Sequence, residues 1–170
     1  VSLKQLKLSD FKDKNISVNI EENIFSTGID NEYGDIYTEN IDELSSEKFY
    51  KMSRIQFESD FETLNSKLNE KYFNGFLVNN LGDIQFIREE FKNKEIIGDY
   101  GLNVLNIYSY LFLKQLGIKR ITLSTELNLK ELNEILKYTE GDAEIIAHGP
   151  LISMIMVHCP FSVIKGCKDS

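Results

Sequence analysis

The chain has 170 residues, of which 42% are hydrophobic, and carries a formal net charge of −8. This length allows one domain with its own core, and the hydrophobic content is typical of a folded protein, which excludes a disordered chain. The acidic balance excludes nonspecific phosphate binding over the whole surface, because such binding needs many Lys and Arg side chains, although a local basic patch stays open.

The sequence predicts a cytoplasmic protein that makes no contact with membranes. No apolar run approaches the roughly 20 residues that a membrane-spanning helix needs. The two cysteines, Cys159 and Cys167, are too few for a disulfide-stapled secreted protein. We therefore expect reduced thiols.

The first 48 residues differ in composition from the rest of the chain. Acidic and amide residues dominate 29–47, and only short alternating stretches, at 16–20 and 35–37, favour strands. We interpret residues 1–48 as an accessory arm or a linker from an upstream region, and residues 49–170 as a separate domain. Because the chain starts at Val1 and ends soon after a cysteine, we expect it to be part of a longer protein and its domain to be truncated at the carboxyl end.

From residue 49 onward the sequence predicts repeated βα units around a mainly parallel sheet. Apolar, strand-like runs centre near Met52, Leu77, Ile96, Thr122 and Ile145, at intervals of about 20 to 25 residues, and helical periodicity fills the gaps. A closed eight-stranded barrel needs about 200 to 250 residues, so only about five strands are expected here. The α/β fold is therefore either a partial TIM-barrel-like sheet or a small doubly wound sheet, and the open edges of a partial barrel favour pairing with further chain or with a second copy.

Three helix ends carry recognisable signals. Ser59 with Glu62 and Asn128 with Glu131 have the spacing of a capping box. Gly117 follows the run 104–116 at the position where a helix commonly ends. That run is apolar on nearly all sides, which predicts a well-buried helix.

Polar residues follow each predicted strand, at the edge of the sheet where parallel α/β folds build their sites. Those assigned to substrate binding are Arg54, Asn80, Asn103 and Ser124. The acid–base candidates are Asp99, Glu126 and His148. Polar residues follow the strands in all α/β proteins, so these roles are inferred only from the position of each residue after a predicted strand.

The two strongest acid–base candidates each have an alternative explanation. Glu126 could act as a general acid or base, or it could be a solvated carboxylate favoured by the start of the next helix. His148 could be an acid, a base or a ligand, or a hydrogen-bonded histidine at a strand end. Similarly, Cys159 and Cys167 could be thiolate ligands of a zinc ion or an iron–sulfur cluster, or simply buried thiols.

Five segments, taken in order, resemble the collagenase-like peptidase family, the thirty-second family of peptidases of unknown catalytic type. They are 79–82 (NNLG), 98–106 (GDYGLNVLN), 123–129 (LSTELNL), 148–154 (HGPLISM) and 158–160 (HCP). The similarity extends from about Met52 to Cys167, and the L-S-x-E-L and H-C-P elements are its most specific parts.

This resemblance implies a barrel-like α/β fold and, in many members, a cysteine-held iron–sulfur cluster. Cys159 and Cys167 would supply two of its ligands in the full-length protein, with further cysteines downstream, and we expect no bound cluster in this fragment. Members were first classed as peptidases. Others act in the oxygen-independent hydroxylation of tRNA or rRNA bases, or of a ubiquinone precursor.

The residues favour the RNA-modifying chemistry over proteolysis. The sequence contains no Ser–His–Asp or H-E-x-x-H protease signature and no glycine-rich phosphate loop. We interpret the chain as a fragment, inactive alone, of a protein that is a collagenase-like peptidase by name and an iron–sulfur-dependent tRNA or rRNA base hydroxylase by chemistry. Its expected partners are the rest of the parent protein and tRNA or rRNA. The alternative is a non-catalytic half-barrel module that docks a partner chain or RNA.

Overall fold

The computed structural model describes the backbone of residues 20–21 and the residues 36–152 and 154–156. Within these ranges seven strands form one sheet: β1 (Ile20–Glu21), β2 (Ile36–Thr38), β3 (Lys48–Lys51), β4 (Gly75–Val78), β5 (Glu95–Gly98), β6 (Arg120–Thr122) and β7 (Ala143–Glu144). The helices are α1 (Glu58–Leu68), α2 (Leu81–Glu90), α3 (Ile107–Gln115) and α4 (Leu129–Leu136). Two short 3₁₀ turns lie at Ile41–Glu43 and Tyr100–Leu102.

The sheet is wound in a single direction. Each strand pairs in parallel with the next strand of the chain, so the spatial order equals the sequence order. A doubly wound sheet reverses its strand order at a switch point, whereas a βα barrel does not. The structure therefore confirms the partial-barrel prediction and excludes the doubly wound alternative for the described strands.

The sheet also curls, which brings β2 and β7 together. The Tyr37 hydroxyl donates to both carboxylate oxygens of Glu144 at 3.4 Å, across 107 residues of sequence. These strands are five steps apart in the sheet, and in a flat sheet that distance would be roughly 24 Å. The contact is possible only because the strands bend around a common interior, as in a barrel.

The period-two alternation of the strands separates an inner core from an outer core. Tyr37, Phe49, Leu77 and Ile97 form a small cluster on the inner face, where Phe49 and Tyr37 meet edge to face. A larger cluster between sheet and helices includes Phe76, Met52 and other side chains of the opposite face. Because side chains alternate along a strand, Lys51 faces the interior with Phe49.

The predicted strands correspond to β3 to β7, but the sheet extends further towards the amino terminus. Two strands lie within the first 48 residues, and in the same sheet β1 pairs with β2 and β2 pairs with β3. The boundary proposed at residue 48 therefore does not separate the strands of this sheet. The expected number of about five strands from residue 49 onward is confirmed by β3 to β7, and β1 and β2 are additional to them.

Two of the three predicted helix ends are confirmed. Asn128 accepts from the backbone N–H of Lys130 and Glu131, and the Glu131 carboxylate accepts from the Asn128 N–H at 2.9 Å. Gly117 has φ of 81° directly after α3. The Ser59–Glu62 box is wrong because α1 begins two residues earlier than it predicts. Phe57 is the N-cap, and the Asp60 carboxylate accepts from the Phe57 N–H at 2.8 Å.

The helix predicted to be buried on all sides is buried on one side only. Tyr110 and Leu113 of α3 face the core, but Tyr108, Leu111 and Phe112 are exposed by 81%, 46% and 51%. The reason is geometric: one helix face packs on the sheet, and no other described element covers the outer face. None of the helices in the described ranges is long and apolar enough to cross a membrane.

Candidate functional site at the carboxyl rim of the sheet

Seven of the site residues predicted from the sequence lie in the part of the chain that the structure describes. All seven follow the carboxyl ends of strands. We define the rim as the carboxyl ends of β3 to β7 with the loops that follow them. Because these strands run in parallel, their carboxyl ends meet at one edge. The rim carries Arg54 after β3, Asn80 after β4, Asp99 and Asn103 after β5, Ser124 and Glu126 after β6, and His148 after β7.

The first pocket of the rim, about 90 Å³ in volume, lies beside the ends of β3 and β5. Asp99 and Tyr100 line it together with Arg54, Lys51 and Glu39. Asp99 is only 3% exposed, and its carboxylate accepts from the Tyr100 N–H at 2.7 Å. Lys51 is similarly buried, with its ammonium 3.5 Å from the Glu39 carboxylate. Two cations and two carboxylates thus share this pocket.

Arg54 lies over the Tyr100 ring, with its guanidinium carbon 5.3 Å from the ring centroid. This is the geometry of a cation–π contact. Flat guanidinium and aromatic groups are also the surfaces on which unpaired RNA bases stack. Both residues line the first pocket.

The loops after β5 and β6 are joined by hydrogen bonds. The Ser124 hydroxyl donates to the Asn103 Oδ1 at 2.9 Å, and the Ser124 N–H donates to the Val104 carbonyl at 3.1 Å. Ser124 is 6% exposed, whereas Asn103 is exposed. The two residues predicted for substrate binding here are in direct contact.

The second pocket, about 290 Å³, lies beside the ends of β6 and β7. Its polar lining includes Ser124, Thr125 and His148, and its apolar lining includes Leu132 and Ile145. His148 is exposed. This lining of apolar walls with a few polar groups is typical of small-molecule sites.

The structure does not gather the three predicted acid–base residues in one cavity. Asp99 lines the first pocket and His148 the second, while Glu126 is exposed and lines neither of them. The backbone N–H of Glu126 donates to the Ser124 hydroxyl at 3.4 Å. Their catalytic roles stay predictions.

Asn80 and Asp83 form the start of α2. The Asn80 Oδ1 caps the helix by accepting from the Asp83 N–H at 2.9 Å. A substrate contact of Asn80 stays a prediction. Asp83 is fully buried. One of its carboxylate oxygens accepts from the Asn79 N–H at 3.3 Å, and the other has no hydrogen-bond donor among the described residues. Burial raises the pKa of Asp83 to about 6, although hydrogen bonds from Asn79 and Asn80 act in the opposite direction.

Replacing Asp83 with Asn is expected to flatten the pH dependence of stability. The pKa of Asp83 is raised in the folded state to about 6, so the protonated carboxyl favours folding below pH 4, and this contribution is lost as pH rises through 6. Between pH 4 and pH 7 the free energy of unfolding of the wild-type protein should therefore fall by roughly 2 to 3 kcal/mol relative to that of Asp83→Asn. Urea unfolding at several pH values measures this difference, and a constant difference over that range would contradict the assignment.

Several residues of the first pocket were not among the predicted site residues. They are Glu39, Lys51, Ser53, Ile152 and Ile155. Lys51 could have been found from the sequence, because it lies two residues after Phe49 in a predicted strand and so places a charged side chain on the same face. Ile152 and Ile155 could not, since they follow the last strand in a segment without periodicity.

Cys159 and Cys167 lie outside the described residues, so the structure gives no geometry for the predicted ligands. Within residues 36–152 and 154–156, no group of three or more His, Cys, Asp or Glu side chains is placed to hold a metal ion.

Comparison with known proteins gives one family and one relative. The profile of the family described as Peptidase family U32 matches residues 33–170. A protein from Haemophilus influenzae named tRNA hydroxylation protein P is 31% identical over 94 residues. These residues make up 55% of this chain and 20% of that protein, so the match spans about a fifth of the length of the curated relative. No solved structure matches the chain.

Proposed function

The chain belongs to peptidase family U32, and from this premise we propose that it forms part of an enzyme that hydroxylates bases in tRNA. The observation that carries the proposal is the 31% identity to a protein named for tRNA hydroxylation. The residues of the rim would bind and orient the base. A cytoplasmic location belongs to the same proposal, because the substrate is a cytoplasmic RNA.

The first pocket of the rim supports recognition of an unpaired base. Arg54 and Tyr100 line this pocket in cation–π contact, and stacking on aromatic or guanidinium planes is the usual way in which proteins hold a base that has left its helix. The positive charges of Lys51 and Arg54 are balanced in this pocket by the carboxylates of Glu39 and Asp99. Recognition of a base here therefore rests on stacking and hydrogen bonding rather than on net positive charge.

The Ser124 hydroxyl disfavours a serine peptidase at this rim. A serine nucleophile gives its hydrogen to a general base, most often a histidine. The Ser124 hydroxyl instead donates to an amide oxygen, that of Asn103, which cannot take up a proton at neutral pH. Ser124 and His148 line the same pocket, but the hydrogen of the hydroxyl is already engaged.

Nucleoside analysis tests the proposed function directly. Transfer RNA from a strain that lacks the gene for this protein would be digested to nucleosides and examined by mass spectrometry. We expect one hydroxylated nucleoside to be absent and to return when the intact gene is supplied. The ribosomal RNA of the same cells is the matched control, and an unchanged nucleoside composition of tRNA would contradict the proposal.

We also propose that Cys159 and Cys167 contribute two thiolates to an iron–sulfur cluster. Thiolates are the ligands that such clusters take, and when bound a cluster supplies electron transfer. In protein purified without oxygen, Cys159→Ala with Cys167→Ala should lower the iron and sulfide content. His158→Ala is the control, because adjacent residues seldom bind one ion. Full iron and sulfide in the double variant would remove these cysteines from the ligand set.

A second candidate function is a non-catalytic half barrel that docks the rest of the parent protein or a second copy. The chain after β7 favours it, because its apolar side chains are exposed. They are Ile145, Leu151, Ile152, Met154, Ile155 and Met156, exposed by 42% to 74%. Under this alternative, Glu126→Gln and His148→Ala would leave tRNA hydroxylation in cells unchanged, and loss of hydroxylation in either variant would contradict it.

A further inference from the structure

The hydrogen bond between Ser124 and Asn103 fixes which way the Asn103 amide faces. The Ser124 hydroxyl is buried and already receives the Glu126 N–H at 3.4 Å. A buried hydroxyl hydrogen needs an acceptor, and the acceptor within reach is the Asn103 Oδ1, at 2.9 Å. The oxygen of the amide therefore faces Ser124, and the nitrogen faces away from it.

This orientation leaves the two N–H groups of Asn103 available at the rim. Asn103 is exposed, and its amide nitrogen has no hydrogen-bond acceptor among the residues that the structure describes. The same loop contributes Asp99 and Tyr100 to the first pocket, and Ser124 lines the second. Asn103 lines neither pocket, but its loop carries two residues of the first and its side chain contacts Ser124 of the second. Its amide nitrogen therefore offers donors at the rim beside both pockets.

The backbone of Asn103 adopts the left-handed conformation. With φ of 51° and ψ of 54°, it is the single non-glycine residue with positive φ among those described. This left-handed conformation costs an ordinary residue on the order of 1 kcal/mol and is relaxed for glycine. Asn takes this conformation more readily than most other non-glycine residues, and here its N–H closes the 3₁₀ turn by donating to the Tyr100 carbonyl at 3.0 Å. The turn thus sets the position from which the Asn103 side chain extends at the rim.

We propose that Asn103 determines specificity by donating hydrogen bonds from its amide nitrogen to an acceptor atom on the edge of an unpaired RNA base. Ser124 is the positioning residue that holds the amide in this orientation. The inference rests on the proposed function and deepens it, because it names the contact that selects the substrate. An amide that donates to base-edge acceptors is a common element of base recognition.

Three substitutions in the protein as the cell makes it, with its full chain and cofactors, separate this role from a structural one. Asn103→Asp keeps the shape and tolerates the left-handed backbone, but it replaces both donors with an acceptor. Asn103→Gly relieves the backbone and removes the amide. Ser124→Ala keeps the amide and removes its lock. Asn93→Asp, in the exposed turn before β5 at the opposite edge of the sheet, controls for the added negative charge.

The measured quantities are the affinity for unmodified tRNA, the melting temperature and the extent of tRNA hydroxylation in cells. We expect Asn103→Asp and Asn103→Gly to weaken binding about tenfold, and Ser124→Ala to weaken it by a smaller factor of about threefold. Asn93→Asp should bind as the wild type does. In Asn103→Gly the backbone is relaxed but the Ser124 hydroxyl loses its acceptor, and since these effects oppose each other, the melting temperature should change by only a few degrees.

The outcomes distinguish this inference from the function on which it rests. Wild-type protein that neither binds nor hydroxylates tRNA would overturn both. Hydroxylation by the wild type, with wild-type binding by Asn103→Gly or Asn103→Asp, would overturn the inference alone and leave Asn103 a backbone residue of the turn. Weaker binding by Asn93→Asp equal to that of Asn103→Asp would also overturn it, because charge alone would then explain the loss.

Discussion

Replacing Glu144 with Ala is expected to lower the free energy of unfolding by roughly 3 kcal/mol. The Glu144 carboxylate accepts from the Arg120 guanidinium at 2.8 Å, from the Thr122 hydroxyl at 3.3 Å and from the Tyr37 hydroxyl at 3.4 Å. The side chains of Glu144 and Arg120 are 18% and 23% exposed. Removal of the carboxylate leaves the positive charge of Arg120 in the barrel interior without this counter-ion, and breaking one partner of such a pair is costly.

A surface ion pair on α4 provides the control for this substitution. The Lys137 Nζ lies 2.7 Å from the Glu134 Oε1, but both side chains are 59% exposed. Exposed ion pairs contribute little to the free energy of unfolding. We expect no measurable change in chemical denaturation for Glu134→Ala. Equal effects of the two substitutions would show that the contact between β2 and β7 adds no stability, and that the curl of the sheet does not depend on it.

Replacing Gly75 with Ala is expected to destabilise the fold by about 3 kcal/mol or more. A Cβ atom at this position would lie 2.2 Å from the Glu95 carbonyl oxygen and 2.9 Å from its carbon. These are backbone atoms of the neighbouring strand, so no change of side-chain rotamer can relieve the clash. β4 and β5 would have to separate at the point where Gly75 pairs with Glu95.

Gly82→Ala is the matched control for this substitution. Gly82 lies in the first turn of α2, and its nearest obstacle would be the Asn80 side-chain oxygen at 3.2 Å. Alanine favours a helix by about 1 kcal/mol over glycine, which offsets a small movement of that side chain. Thermal unfolding should show a large loss for Gly75→Ala and little change for Gly82→Ala, and similar melting temperatures for both variants would contradict the close approach of β4 and β5.

The sequence predicts the order of the elements well because that order depends on local patterns. The apolar runs near Leu77 and Ile96 coincide with β4 and β5. The cap at Asn128 involves residues only two and three positions apart. The placement of polar residues at the rim follows in turn, because parallel strands put their carboxyl ends at one edge.

The arrangement of the rim depends on contacts that no local pattern records. The pairing of Tyr37 with Glu144 joins residues 107 positions apart, and nothing in either segment signals it. The alternation at 35–37 does favour a strand, and β2 overlaps these residues. The polar residues around β1 and β2 nevertheless favour an arm, because nothing local shows that these strands belong to the same sheet as β3. The division of Asp99 and His148 between two pockets likewise results from how the sheet curls, which period and spacing do not determine.

If the rim receives an unpaired base of tRNA, photo-cross-linking should locate the bound tRNA at the rim. Transfer RNA that carries 4-thiouridine would be irradiated in complex with the protein, and the cross-linked peptides identified by mass spectrometry. We expect cross-links in the loops after β5 and β6, at residues 99–106 and 123–128. Cross-links confined to the outer faces of the helices, or to the loops that precede the strands, would contradict this expectation.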